Sequence, residues 1–242
     1  MKIYGHLVIS NEQISDICRA IESIYPICDE ILVVHDGTQQ VTIDWLEARK
    51  DIYKMKVFLN PFLTVREQRQ FLLDNTPVNN WIIALDADEA YSMAVSRELR
   101  ECLLNKLSQK HYETSKNDNV PLVINIPVVN LIKDQIHSDD SGVYHSQKIF
   151  YYREGLSWRF DQYFCHITYD KEAPMEFGKG GDTVVYSIIG SHSWLIKHYT
   201  RLNPERLKWR AEHTNDPKFG NYETKAWEKK TPKILLLDES KW

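Results

Sequence analysis

Apolar positions along the first ninety residues alternate between two periods. Residues 3–9, Ile-Tyr-Gly-His-Leu-Val-Ile, form a nearly unbroken apolar run that ends at Ser10-Asn11-Glu12. From Ser15 onward, Ile17, Ala20, Ile21 and Ile24 recur at the spacing of one helix face, and Pro26 closes that segment. Ile31-Leu32-Val33-Val34 follows and is closed by His35-Asp36-Gly37. The cycle then repeats: a helical stretch over 41–50, a strand at Lys56-Val57-Phe58-Leu59, a helix over 65–75, and a strand at Trp81-Ile82-Ile83-Ala84-Leu85. Short apolar runs of this kind suit strands covered on both faces. The alternation predicts an α/β protein with right-handed crossovers and an open, mostly parallel sheet flanked by helices. Ligands on such sheets bind beyond the carboxyl ends of the strands. Three acid-bearing turns fall there: Asn11-Glu12, Asp36-Gly37 and Asp86-Ala87-Asp88-Glu89.

The second half is less regular. Residues 96–110 read as a charged helix and 111–119 as a polar loop, while 121–129 and 148–152 are strand candidates. Asn203-Pro204-Glu205 is a helix start, with a capping residue before a first-turn proline, and a basic amphipathic segment over 206–213 follows it. The 242 residues fit one large domain or two small ones. A formal net charge of −4 argues against a protein that lives on nucleic acid or an anionic membrane, which needs a surplus of Lys and Arg. Cys18, Cys28, Cys102 and Cys165 show no metal-finger spacing, so free thiols in a reducing compartment are expected. With no leader-like start and no long uncharged apolar run, the chain is expected to be cytoplasmic and at most peripheral to a membrane.

The most pointed chemical signal is Trp81-Ile-Ile-Ala-Leu-Asp86-Ala87-Asp88-Glu89. In an extended chain, residues two apart share a face, so Asp86 and Asp88 would point the same way about 6.6 Å apart. Two hard oxygen donors at a strand end suit Mg²⁺ or Mn²⁺, which take their other ligands from phosphates and water. Ala87 is small enough for a ligand to approach the backbone. The plainer alternative is a polar turn whose acids cap the following helix.

Four segments occur in order: Ser10-Asn11-Glu12, Cys28-Asp29-Glu30-Ile31-Leu32-Val33-Val34-His35-Asp36-Gly37-Thr38, Val65-Arg66-Glu67-Gln68-Arg69, and Trp81 to Glu89. Together they resemble family 2 glycosyltransferases of the GT-A fold, and most of all the bacterial branch that builds lipopolysaccharide-core and related surface glycans. The resemblance is close over 3–90, loose over 120–212 and absent past 215. It implies a single catalytic domain over 1–215, with a nucleotide-sugar half (about 1–110) and an acceptor half (about 120–215); residues 216–242 form an extension of no assigned role. The implied activity is inverting transfer of a sugar from a nucleoside diphosphate, UDP favoured, to a glycan or lipid-linked acceptor, with Mn²⁺ or Mg²⁺ assisting departure of the diphosphate. It places Ser10, Asn11, Glu12 and Asp36 against the nucleoside and Arg69 beside the phosphates, with Arg66 as the alternate. Asp86 would face the ribose or the metal's water, and Asp88 would bind the metal. Related sequences usually carry Asp at the position of His35, so this chain departs from the pattern there.

The proton acceptor is expected near Leu156 to Ile167, where the resemblance implies a His-Glu pair but His166 is followed by Ile167. Asp161 is the nearest carboxylate and is taken as the base; Asp139, Asp140 and Asp182 are rivals that fit solvated loops. The resemblance also implies His198, in Ile196-Lys197-His198-Tyr199, as a third metal ligand with His192 as competitor, and an imidazole there would favour Mn²⁺. Trp158, Tyr163, Phe164 and Trp194 suit an acceptor sugar face or, more commonly, core packing. Arg201, Arg206, Lys208 and Arg210 suit a diphosphate or a solvated helix face. Two other functions compete: a glycosyltransferase-like domain that binds without turnover, favoured by His35 and Ile167, and a metal-dependent phosphatase. The phosphatase is disfavoured because its D-x-D belongs on the first strand rather than the fourth.

Overall fold

A computed structural model of the chain describes residues 1–60, 64–91, 95–105, 113, 122–131, 137–160, 165–168, 186–189, 196–198 and 233–234. The first half follows the hydrophobic pattern closely. Strands β1 (Ile3–Ile9), β2 (Glu30–His35), β3 (Met55–Leu59) and β4 (Asn80–Asp86) alternate with helices α1 (Ile14–Ile24), α2 (Gln40–Arg49) and α3 (Val65–Asp74). The four strands are parallel and lie in the order β3-β2-β1-β4. The chain winds outward from β1 to β3, then returns to β1's other side, so the order reverses between β1 and β4. A reversal of this kind favours ligand binding beyond the carboxyl ends of the strands.

Alternate residues of β1 serve the two faces of this sheet. Ile3, Leu7 and Ile9 join Ile17, Ile21 and Ile24 of α1 in the main core, together with Trp81, Ile83 and Leu85 of β4. Tyr4 and Val8 join Leu32, Val34 and Leu72 of α3 on the opposite face. Gly5 lies where α1 comes closest, because a Cβ there would meet Ile24 Cδ1 at 2.8 Å. Helix α3 is set by a capping box, in which Thr64 accepts from the Glu67 amide while the Glu67 carboxylate accepts from the Thr64 amide. Asp29 anchors the far edge: it accepts the Ile3 amide at 2.9 Å and an Arg100 N–H at 2.8 Å.

Beyond β4 come β5 (Glu89–Tyr91), α4 (Val95–Leu104), β6 (Leu122–Leu131), β7 (His137–Tyr152), β8 (Ser157–Phe160), β9 (Cys165–Thr168), β10 (Tyr186–Ile189), β11 (Ile196–His198) and β12 (Lys233–Ile234). Strand β7 runs antiparallel against β4 and extends the sheet to β6, β11 and β5, while β8 and β9 pair separately. The strand expected at 148–152 therefore begins eleven residues earlier. Its first part, His-Ser-Asp-Asp-Ser-Gly, lacks alternation, and there Ser138 pairs with Leu131 of β6 while His137 and Ser138 pair with β12. Asp139 and Asp140 thus sit in a strand, not in the expected loop. Pro127 lies within β6 opposite His145 of β7, between the stretch paired to β10 (122–125) and that paired to β11 (128–130). Strand β12 pairs with β7, so part of the 216–242 extension joins the sheet.

Candidate functional site

The three turns expected to form a site come together at the carboxyl ends of β1, β2 and β4. Their adjacency follows from register: Ile9 lies beside His35, and Val8 beside Asp86. The Ser10 hydroxyl donates to Asp36 across the β1–β2 gap, and the Ser10 amide donates to Glu12 at 2.6 Å. Asn11 is exposed. His35 is buried, which holds its imidazole below its ordinary pKa even though Asp36 pulls the other way. Neutral, its Nδ1 accepts the Gly37 amide at 3.3 Å, within a turn where Gly37 has φ 89°. At the position where the resemblance expects an acid, His35 therefore shapes the turn.

The Asp86–Glu89 segment departs from the extended geometry expected of it. Strand β4 stops at Asp86, residues 87–88 turn, and β5 restarts at Glu89. Asp86 remains half-exposed, whereas Asp88 and Glu89 are buried at 2 % and 3 % exposure. Glu89 accepts the Asp86 amide at 3.0 Å, so the acid at the end of the motif closes its own turn instead of capping a helix. Arg69, on α3, donates to one Asp86 oxygen, and Lys148, on β7, meets the other at 2.9 Å. Lys148 also meets Glu89 at 2.9 Å. Burial alone would raise the Asp86 pKa, but the Arg69 and Lys148 charges outweigh it and hold the carboxyl far below its usual range. Burial likewise opposes the Lys148 charge, and Asp86 and Glu89 overcome it, raising that pKa.

Arg69 is itself fixed from behind. Its guanidinium lies 5.3 Å from the centre of the Trp158 ring, which packs edge-on against Phe150. The Trp158 backbone donates to Gln70 at 2.8 Å, tying β8 to α3. Trp158 is thus a core residue that seats Arg69, not an open sugar platform. On the same side, His6 Nε2 contacts the Thr76 hydroxyl at 2.7 Å. That hydroxyl already donates to the Leu72 carbonyl, so His6 carries its proton on Nε2. Burial, helped by the Arg69 charge, pushes its pKa down to about 3.

One member of the expected metal set, Asp86, already meets two side-chain cations. Both Asp86 oxygens face a cationic side chain, and a divalent ion there would meet two positive charges. Asp86 therefore does not fit as a direct ligand. The backbone of His198 lies opposite Glu89 in the β11–β5 pairing, next to the turn that carries Asp88, and its side chain lies outside the described residues. Among the described residues, no group of three or more His, Cys, Asp or Glu side chains could hold a metal ion. Ala87 is buried in the turn. Asp161, Asp182, His192, Tyr163, Phe164, Trp194, Arg201, Arg206, Lys208 and Arg210 lie outside the described residues, as does the Arg66 side chain. Lys148 and Glu89 are the functional neighbours not foreseen as partners. One signal was available for Lys148: a lysine opening the apolar run Lys-Ile-Phe-Tyr-Tyr must find a carboxylate if the strand is buried.

No protein-family model matches the chain. Over 99 residues it is 31% identical to an uncharacterized glycosyltransferase of Rickettsia typhi, a match covering 41% of this chain and 32% of that relative. Over 112 residues it is 30% identical to an uncharacterized glycosyltransferase of Rickettsia prowazekii, covering 46% and 36%. The chain thus spans about a third of the length of these curated relatives. Among solved structures, S. aureus TarS 1–349 in complex with UDP-GlcNAc gives a TM-score of 0.49 at 11% identity, covering 94% of this chain and 70% of that one. GalNAc-T7 with UDP, GalNAc and Mn²⁺ gives 0.38 at 17% identity, covering 66% and 28%. No described helix is long and apolar enough to cross a membrane.

Proposed function

We propose that this chain is an inverting glycosyltransferase of GT-A type. It takes a sugar from a nucleoside-diphosphate donor, UDP-linked in the favoured case, and passes it to a glycan or lipid-linked acceptor. The observation that carries this is the meeting of the Ser10–Glu12, Asp36 and Asp86–Glu89 turns at the reversal point of the parallel sheet. The partial likeness to proteins named as glycosyltransferases supports the same reading. Asp36 and the Ser10–Glu12 turn offer acceptors to a nucleoside, and Asp86 offers one to a ribose hydroxyl. Arg69 brings positive charge to the diphosphate side.

Cleavage of the glycosyl–phosphate bond leaves negative charge on the diphosphate and an oxocarbenium-like sugar. A divalent cation, with Asp88 and His198 as its proposed holders, would stabilise that leaving charge by several kcal/mol. On the opposite face a carboxylate must accept the proton of the attacking hydroxyl, a contribution of about 10²–10⁴-fold, and Asp161 is the proposed base. The test is hydrolysis or transfer of UDP-sugars with Mn²⁺, alongside calorimetry with UDP. Asp88→Asn is expected to abolish metal-stimulated nucleotide binding while the protein stays folded; wild-type behaviour in that variant removes Asp88 from the metal site. Asp161→Asn is expected to keep nucleotide affinity and lose transfer, and unchanged transfer moves the base to another acid.

A further inference from the structure

The 86–89 turn already contains a cation of its own. Lys148 reaches it from β7, a strand that runs antiparallel to β4 and lies far away in sequence. Its ammonium touches Asp86 Oδ2 and Glu89 Oε2, both at 2.9 Å, and its side chain is only 9 % exposed. Glu89 in turn receives the Asp86 amide, so ammonium, side chain and backbone close a ring around the turn. Arg69 occupies the remaining Asp86 oxygen. An ammonium compensates a carboxylate where it stands, and further positive charge at the same oxygens is repelled.

We infer that Lys148 is a positioning residue for the donor site: it takes, at Asp86, the place that a divalent cation would otherwise hold, and it fixes the 86–89 turn in a shape competent to bind. Asp86 is then a charged but neutralised acceptor, suited to a neutral hydroxyl. Its contribution to nucleotide binding does not depend on metal. Any Mn²⁺ the protein takes up is held without Asp86. The nucleotide part of this inference rests on the transferase reading above; the ion-pair part does not.

The two parts are separated by titrating free Mn²⁺ by electron paramagnetic resonance and UDP by calorimetry in the presence of a chelator. Asp86→Asn is expected to leave Mn²⁺ affinity within about threefold of wild type, or to match a wild type that binds none, whereas loss of a true ligand costs far more. Lys148→Met is expected to weaken chelator-insensitive UDP binding by about tenfold or more, the scale on which supporting partners act, and Lys148→Arg to restore most of it. A melting curve for each variant separates misfolding from lost positioning, and Asp86→Asn and Lys148→Arg keep the test decisive if Lys148→Met does not fold. A drop of about tenfold or more in Mn²⁺ affinity for Asp86→Asn overturns the inference, because Asp86 is then a ligand. Full UDP affinity in a folded Lys148→Met overturns it as well. If no variant binds UDP while Mn²⁺ affinity still ignores Asp86→Asn, the transferase reading fails and the ion-pair assignment stands.

Discussion

Replacing Lys148 by methionine probes how much of this fold's stability sits in one charged side chain. The methionine keeps most of the length and removes the ammonium that lies 2.9 Å from both Asp86 and Glu89. At an effective dielectric of about 20, two unit charges at that distance attract by roughly 6 kcal/mol, before the cost of taking them out of water. The Asp86 pair is open to solvent on the carboxylate side, with 38 % of that side chain exposed, so screening reduces its share to the surface range, at most about 1 kcal/mol. The Glu89 pair is different, since that side chain is 3 % exposed and lies in a poorly solvated place. Removing one member of such a buried pair costs about 3–5 kcal/mol, so Lys148→Met is expected to lose that much in urea unfolding. Lys148→Arg should lose much less. Glu89→Gln added to Lys148→Met should recover part of the loss, with a coupling of about 1–3 kcal/mol. A loss under about 1 kcal/mol for Lys148→Met, or strict additivity in the cycle, would refute the claim that a buried charge depends on this lysine.

Two further perturbations test the two faces of the sheet. His6 titrates near 6.5 when unfolded and at about 3 when folded, so the unfolded chain binds the extra proton between those values and stability falls as pH drops through that window. The slope is up to about 1.4 kcal/mol per pH unit, and His6→Leu should flatten the urea midpoint between pH 6.5 and 4.5; an unchanged slope assigns the effect to other groups. Gly5→Ala should lower stability by about 1–3 kcal/mol, because the new methyl forces Ile24 to move away from a 2.8 Å contact, and a neutral result in thermal melting would show that α1 has room to yield.

What the chain alone specified was the local alternation. Ile31–Val34 and Trp81–Leu85 are apolar throughout, and Ile3–Ile9 is so except at His6, because both faces of a parallel sheet are covered there, and that composition can be read without coordinates. The acid-bearing ends of those strands were equally legible, since the carboxyl edge of such a sheet is where turns gather. Asp29 could be seen but not understood: its partners, the Ile3 amide and Arg100, are distant in sequence. The same holds for the early part of β7, whose polar residues are strand where β6 and β12 offer backbone partners.

The character of the Asp86 site was settled by tertiary structure alone. From spacing, two carboxylates in an extended segment look like a pair of cation ligands. The fold turns the chain at residues 87–88, buries Asp88 and Glu89, and delivers Arg69 from α3 and Lys148 from β7 to Asp86. Those two cations lie 17 residues before it and 62 after it, and no periodicity links such positions. Local pattern records which faces a segment must bury, because that is a property of neighbouring side chains. Which charges meet depends on how separate segments pack, and packing is decided by the whole chain at once.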